Sequence, residues 1–223
     1  MTKKNKQFVI LGLGIFGSTI AKKLSSYNYE VIAVDKSMDC VNRVSEFVNQ
    51  AIKADFTDID QLRAIDVSEC DAAIVATGSL LEESIMAIMN LKELGVPYII
   101  AKAKNKKYKQ VLEKIGADRV VRPEKEMGVR IAKQLVSSNI VDLIDIDQEY
   151  SMVEMLAPKK WIGQSLIELD LRDNYGLNVI GIRKKGDNHL DPNPNPYDKI
   201  SDDDTLLFIA DHEMFTKIDE IVE

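Results

Sequence analysis

Between residues 8 and 121 the chain alternates short apolar runs with longer stretches in which apolar positions recur every three or four residues. Short runs of this kind suit strands covered on both faces, and the longer period suits helices that cover them. The pattern therefore predicts repeated βα units around a parallel sheet. Predicted strands are 8–11, 30–34, 50–54, 71–76, 98–101 and 119–121, with helices at 17–27, 40–47, 60–64, 81–94 and 107–115. Gly95 with Pro97, and Gly116, stand just where the apolar periodicity stops, the place for a left-handed helix cap.

After Pro123 the rhythm changes. Residues 124–138 carry Met127, Ile131 and Leu135 on one helical face, and residues 140–146 follow them. This segment reads as a linker with dimer contacts, or as a last helix packed on its own sheet; amphipathicity alone leaves both open. From Tyr150 helices become scarce, and 151–156, 178–183 and 205–210 read as strands. The run Asp191-Pro192-Asn193-Pro194-Asn195-Pro196 must be a surface loop, because each proline lacks a backbone donor. The expected architecture is α/β: a doubly wound, Rossmann-like parallel sheet followed by a smaller α+β C-terminal domain. Its expected bounds are 1–122, a helix and linker at 123–146, and 147–223.

Composition narrows the class. Hydrophobic residues form 45% and charged residues 29% of the 223, so the chain should fold throughout. Its net charge of −7, with basic residues scattered, argues against nucleic acid as a partner. The basic run at 102–109 reads as a solvated helix start, or else as a positive rim near a bound phosphate. No apolar run reaches the roughly 18 residues that span a bilayer, and the basic start at 1–7 lacks a signal-peptide core. Any membrane role would come through a partner. Cys40 and Cys70 lack metal-ligand spacing and read as small core or surface residues.

The chemistry begins at Gly12-Leu13-Gly14-Ile15-Phe16-Gly17, a G-x-G-x-x-G turn between the first strand and the first helix. The first glycine permits the tight turn, the second lets backbone approach a phosphate, and the third lets helix and strand pack closely. The helix N-terminus then faces the anion. Asp35 ends the second strand, 18 residues beyond Gly17, where a carboxylate can accept from ribose hydroxyls. Lys36 and Ser37 follow it. Further strand ends should line the same crevice: Ala54, Asp55, Phe56 and Thr57, then Ala76, Thr77, Gly78 and Ser79, then Lys102, Ala103 and Lys104, with Tyr108 beyond. Lys36 is the one basic residue directly after Asp35, which favours a plain adenine nucleotide or a diphosphate linkage over a ribose 2′-phosphate. The motif leaves NAD and ATP open.

Enzyme chemistry is harder to find. His189 and His212 are the only histidines, and both fall in the C-terminal part, away from the glycine turn in sequence. There is no metal-ligand cluster, nucleophile elbow or Walker lysine loop. The nucleotide therefore reads as a signal and no catalytic residue is expected. An NAD(H)-binding redox sensor is the alternative, although no DNA-binding module accompanies the fold.

Three stretches carry a resemblance over nearly the whole chain. They are Phe8-Val9-Ile10-Leu11 with the glycine turn, Val111-Leu112-Glu113-Lys114-Ile115-Gly116-Ala117-Asp118-Arg119, and Arg122-Pro123-Glu124-Lys125-Glu126-Met127-Gly128. Together they resemble the RCK (TrkA-N plus TrkA-C) subunits that gate bacterial potassium channels and transporters, the Ktr-type ring proteins in particular. The resemblance implies a homodimer assembling into a homo-octameric ring at the cytoplasmic face of the membrane. That ring would dock on a membrane-embedded potassium-conducting subunit and bind ATP or ADP in its N-terminal clefts. Glu124 matches a family glutamate that helps hold a divalent cation between subunits. Where the family commonly has an arginine that reaches a neighbour's γ-phosphate, this chain has Ile15. Residues 171–179 are similar to a stretch by which related C-terminal domains bind cyclic di-AMP across a dimer interface. The resemblance assigns Arg172 to phosphate, Asn178 to the base, and Leu171, Val179 and Pro194 to apolar walls.

Overall fold

The computed structural model describes residues 6–77, 80–135, 139–147 and 149–211. Gly78, Ser79, His212 and the predicted helix end at 136–138 lie outside the described residues. The chain divides into two compact units, Met1–Glu124 and Lys125–Glu223.

The first unit is built on six parallel strands: β1 (Gln7–Leu11), β2 (Glu30–Asp35), β3 (Gln50–Lys53), β4 (Ala72–Val75), β5 (Ile99–Lys102) and β6 (Arg119–Val121). Their order is β3-β2-β1-β4-β5-β6, with Leu11 level with Val34 on one side and Val75 on the other. Helices α1 (Ile15–Ser26), α2 (Met38–Asn42), α3 (Ile59–Ala64), α4 (Leu81–Glu93) and α5 (Lys106–Ile115) connect them.

Strand periodicity sends alternate residues to opposite faces, so one sheet serves two cores. Val9, Leu11, Ile32, Val34, Ala73 and Val75 join one apolar cluster with Ala87, Ile88 and Leu91 of α4. Ile10, Val31, Ala33 and Ile74 join the other, with Ala21 of α1 and Val41 of α2. That two-faced burial explains why these strands read as unbroken apolar runs. Strand order reverses between β1 and β4, which leaves a crevice outside their carboxyl ends.

Several elements differ from expectation. The helix expected at 40–47 ends at Asn42, because Val44 and Phe47 donate to carbonyls three residues back and close tight turns instead. Gly95 and Gly116 take positive φ, +80° and +118°, and end α4 and α5 as predicted.

The second unit starts with α6 (Pro123–Gln134), which crosses its boundary, and contains β7 (Ile140–Asp145), β8 (Tyr150–Leu156), β9 (Asn178–Arg183) and β10 (Thr205–Asp211). These form an antiparallel sheet in the order β7-β8-β10-β9. Residues 140–146, read with the linker, thus supply an edge strand whose Ile140 and Leu143 enter the core. Val153 and Met155 of β8, Leu206 and Phe208 of β10, and Trp161 complete it. Two short helices, α7 (Leu166–Leu169) and α8 (Leu171–Tyr175), are additional to those predicted. The signal for α7 was in the chain: Ser165 and Glu168 form a reciprocal capping box.

Candidate functional site

The site is assembled at the carboxyl ends of β1, β2, β3, β4 and β5. Gly12 has φ +94°, and a Cβ there would lie 3.1 Å from the Thr77 nitrogen, so only glycine brings the first strand end this close to the fourth. At Gly17 a Cβ would meet the Gly12 carbonyl oxygen at 1.9 Å and the Ala76 side chain at 2.9 Å. The absence of a side chain there lets α1 begin directly above the turn. Gly14 is different: it precedes the helix in extended conformation, and a Cβ would touch nothing within 4 Å. Its bare backbone faces open space next to an α1 N-terminus that has no side-chain cap. Unpaired amides at such a helix start favour an anion.

Asp35 fastens this turn from the end of β2. Its Oδ2 accepts from the Leu13 N–H at 2.6 Å, and its Oδ1 accepts from the Ser37 N–H at 2.8 Å. Each carboxylate oxygen retains a second acceptor site, so Asp35 can hold the turn and still receive a ribose hydroxyl.

A cleft of about 420 Å³ opens here, lined by Gly12, Gly14, Asp35, Lys36, Cys40, Phe56, Ala76, Thr77, Glu83 and Lys102. Eight of these were legible in the sequence as crevice residues. Cys40 and Glu83 were not: they come from α2 and α4, and no motif marks them. The Cys40 sulfur accepts from Arg43 at 3.0 Å.

Both cleft lysines are paired. The Lys36 ammonium lies 3.0 Å from Glu83 and 3.3 Å from Asp55. The hydrogen bond to Glu83 is the main cause holding its pKa above the ordinary lysine value, and Asp55 adds to it. Asp55 in turn accepts from the Thr57 N–H and hydroxyl; against the upward push of burial, these bonds and Lys36 hold its pKa below the usual carboxylate range. Lys102 at the end of β5 is bonded to Glu124 at 2.5 Å and stands 5.8 Å from the centre of the Phe16 ring. That bond depresses the Glu124 pKa.

The other predicted residues are placed as follows. Ile15 is 91% exposed at the first position of α1. Phe16 packs against the core beneath α1, and Ser37 contributes its N–H to Asp35. Ala103 is buried in the core and Tyr108 packs against the same cluster, so both support the site without lining it. Lys104 is exposed just before α5. In the second unit Leu171 belongs to the core and Val179 packs on it, Arg172 and Asn178 are exposed, and Pro194 is half-buried.

No group of three or more His, Cys, Asp or Glu among the described residues is arranged to hold a metal ion. No described helix is long and apolar enough to cross a membrane. The cleft thus combines bare backbone at a helix start, a carboxylate with spare acceptor sites, and an aromatic side chain at Phe56, groups that can hold a small polar ligand.

Comparison with known proteins identifies both parts of the chain. Residues 8–123 match the family model of the TrkA-N domain and residues 151–222 that of the TrkA-C domain. The chain is 40% identical over 207 residues to Ktr system potassium uptake protein A of Bacillus subtilis, covering 93% of this chain and 92% of that one. It is also 40% identical over 179 residues to Ktr system potassium uptake protein C of the same organism, covering 80% and 81%. Among solved structures, the GsuK RCK domain superposes with a TM-score of 0.68 at 18% identity, covering 100% of this chain and 48% of that one. That similarity concerns the fold, and this chain spans about half of its length.

Proposed function

The chain belongs to the RCK family of paired TrkA-N and TrkA-C domains, together with the Ktr potassium uptake proteins, and on that premise we propose that it is the nucleotide-sensing regulatory subunit of a Ktr-type potassium uptake system. The observation that carries the sensing function is the Asp35 carboxylate, fixed by the Leu13 N–H beside an uncapped α1 N-terminus. Adenine nucleotide enters with its ribose on Asp35 and its phosphates over Gly14 and the start of α1. Lys102 stands at the same mouth, and a ligand phosphate competes there with Glu124 for its ammonium.

Binding alone does not regulate. A ligand shifts a conformational equilibrium only by its differential affinity for the two states, so ATP and ADP must meet the cleft differently, and the γ-phosphate is their only chemical difference. In this reading the subunit dimerises and assembles into an octameric ring on the cytoplasmic side of the membrane. The ring passes its change of shape to a potassium-conducting membrane subunit. Glu124 joins a divalent cation at the phosphates once Lys102 is released. The second unit takes cyclic di-AMP through Arg172 and Asn178, with Val179 and Pro194 beside them. No residue is assigned a catalytic role.

Equilibrium binding of ATP, ADP, NADH and cyclic di-AMP to the purified protein, with Asp35→Ala and Arg172→Ala as site controls, tests this. Binding of ATP and ADP lost in Asp35→Ala, with cyclic di-AMP lost in Arg172→Ala, is the expected result. Tight binding of NADH alone would replace it with a redox sensor.

A further inference from the structure

Two adjacent residues at the end of β2 suit opposite ribose chemistries. A carboxylate at this place accepts from a free 2′-hydroxyl, whereas a cation beside it is what dinucleotide folds use for a 2′-phosphate. Asp35 is the first kind and Lys36 the second, and both line the cleft. The sequence favours a ligand without a 2′-phosphate, yet Lys36 is the one cation beside Asp35 that could take one.

The tertiary structure engages it elsewhere. Glu83, on the first turn of α4, and Asp55, just after β3, converge on the Lys36 ammonium at 3.0 and 3.3 Å. Asp55 is itself held by Thr57, whose N–H donates at 2.9 Å and whose hydroxyl donates at 2.5 Å. The lysine also lies beside the Phe56 ring, 5.6 Å from its centre. Glu83 and Asp55 thus place two carboxylates on one ammonium, and Glu83 lines the cleft together with Asp35.

We propose that Glu83 and Asp55 are specificity-determining residues: by occupying Lys36 they make the cleft reject adenine nucleotides that carry a 2′-phosphate and accept those with both ribose hydroxyls free. This rests on the nucleotide-binding reading above and specifies the ligand class of the same site. A 2′-phosphate carries between one and two negative charges near neutral pH and would meet an excess of carboxylates. Capturing Lys36 would require breaking charge-assisted bonds already made, which are stronger than neutral ones. Glu83 had no sequence signal because it reaches Lys36 from 47 residues away.

The test compares binding of ADP and 2′-phospho-ADP to the full chain by titration calorimetry. Wild-type protein should prefer ADP by about tenfold or more, the scale of removing one close charge interaction. Glu83→Gln preserves side-chain shape and the Asp55–Thr57 turn, and should narrow that preference several-fold; adding Asp55→Asn should narrow it further. Introducing Lys36→Gln into the double variant should restore the original preference, because the gain requires a freed ammonium. An unchanged preference in both Glu83→Gln and the double variant, with ADP binding still dependent on Asp35, overturns the proposal and leaves the nucleotide cleft standing. Failure of wild-type protein to bind ADP, or ADP binding indifferent to Asp35→Ala, overturns the cleft reading and this proposal with it.

Discussion

The backbone N–H of Leu13 donates to Asp35 Oδ2 at 2.6 Å, so the carboxylate assigned to ribose also ties the glycine turn to the neighbouring strand. Ligand recognition and local stability are therefore coupled at one side chain. A hydrogen bond to a charged acceptor contributes about 1.5–3 kcal/mol. Asp35→Ala should accordingly lower ADP affinity by about 10- to 100-fold and also lower the melting temperature. Calorimetric titration beside a thermal melt separates the two effects. A lower melting temperature with unchanged ADP affinity would confine Asp35 to the turn.

The glycines of the turn should divide by role. Gly17→Ala drives a methyl group into the Gly12 carbonyl, and overpacking against backbone of this kind should cost about 3 kcal/mol, read as a shifted urea midpoint. Gly14→Ala meets nothing within 4 Å and its φ of −62° suits alanine. That variant should stay within about 0.5 kcal/mol of wild type while binding ADP less tightly, because its methyl group occupies the phosphate approach.

Ile15 is exposed at the first position of α1, next to Gly14 in the cleft lining. Ile15→Arg should leave stability nearly unchanged, as an exposed surface replacement, and raise the preference for ATP over ADP by several-fold in the assembled protein. Parallel titrations of both nucleotides check this. Equal preference before and after would mean that position 15 does not reach a γ-phosphate.

In the second unit Asp204 is only 1% exposed, yet it accepts from the Ser201 N–H, the Lys185 N–H and the Lys184 ammonium. Burial pushes its pKa up, but the hydrogen bonds, led by Lys184, outweigh burial and hold it below the usual carboxylate value. A depressed folded pKa means stability that is present above the unfolded value, about 3.9, and lost as pH falls through the folded one. Asp204→Asn should cost about 2 kcal/mol at pH 7 through charge-assisted bonds lost at a buried carboxylate. Its penalty should shrink in urea melts repeated below pH 4, where wild type loses the same contribution.

The apolar periodicity was enough to place six parallel strands, because a strand buried on both faces must be apolar along its length whatever covers it. The glycine turn and Asp35 were legible for a related reason: tight turns and strand ends impose local backbone and spacing requirements that a short segment states by itself. Gly95 and Gly116 likewise announced helix ends through a conformation that other residues rarely adopt. The 140–146 segment was not legible as a strand of the second sheet, since its alternation suits any half-covered strand and its partner, β8, is a tertiary fact.

The sequence by itself therefore determined the sheet, the crevice and the residues whose backbone builds it. Only the tertiary structure decided that Cys40 and Glu83 share that crevice, and that Lys36 and Lys102 are already paired with carboxylates. The physical reason is range. Backbone conformation and strand burial are set within a few residues, whereas the charge state and company of a cleft are set by side chains that meet only after separate βα units have packed.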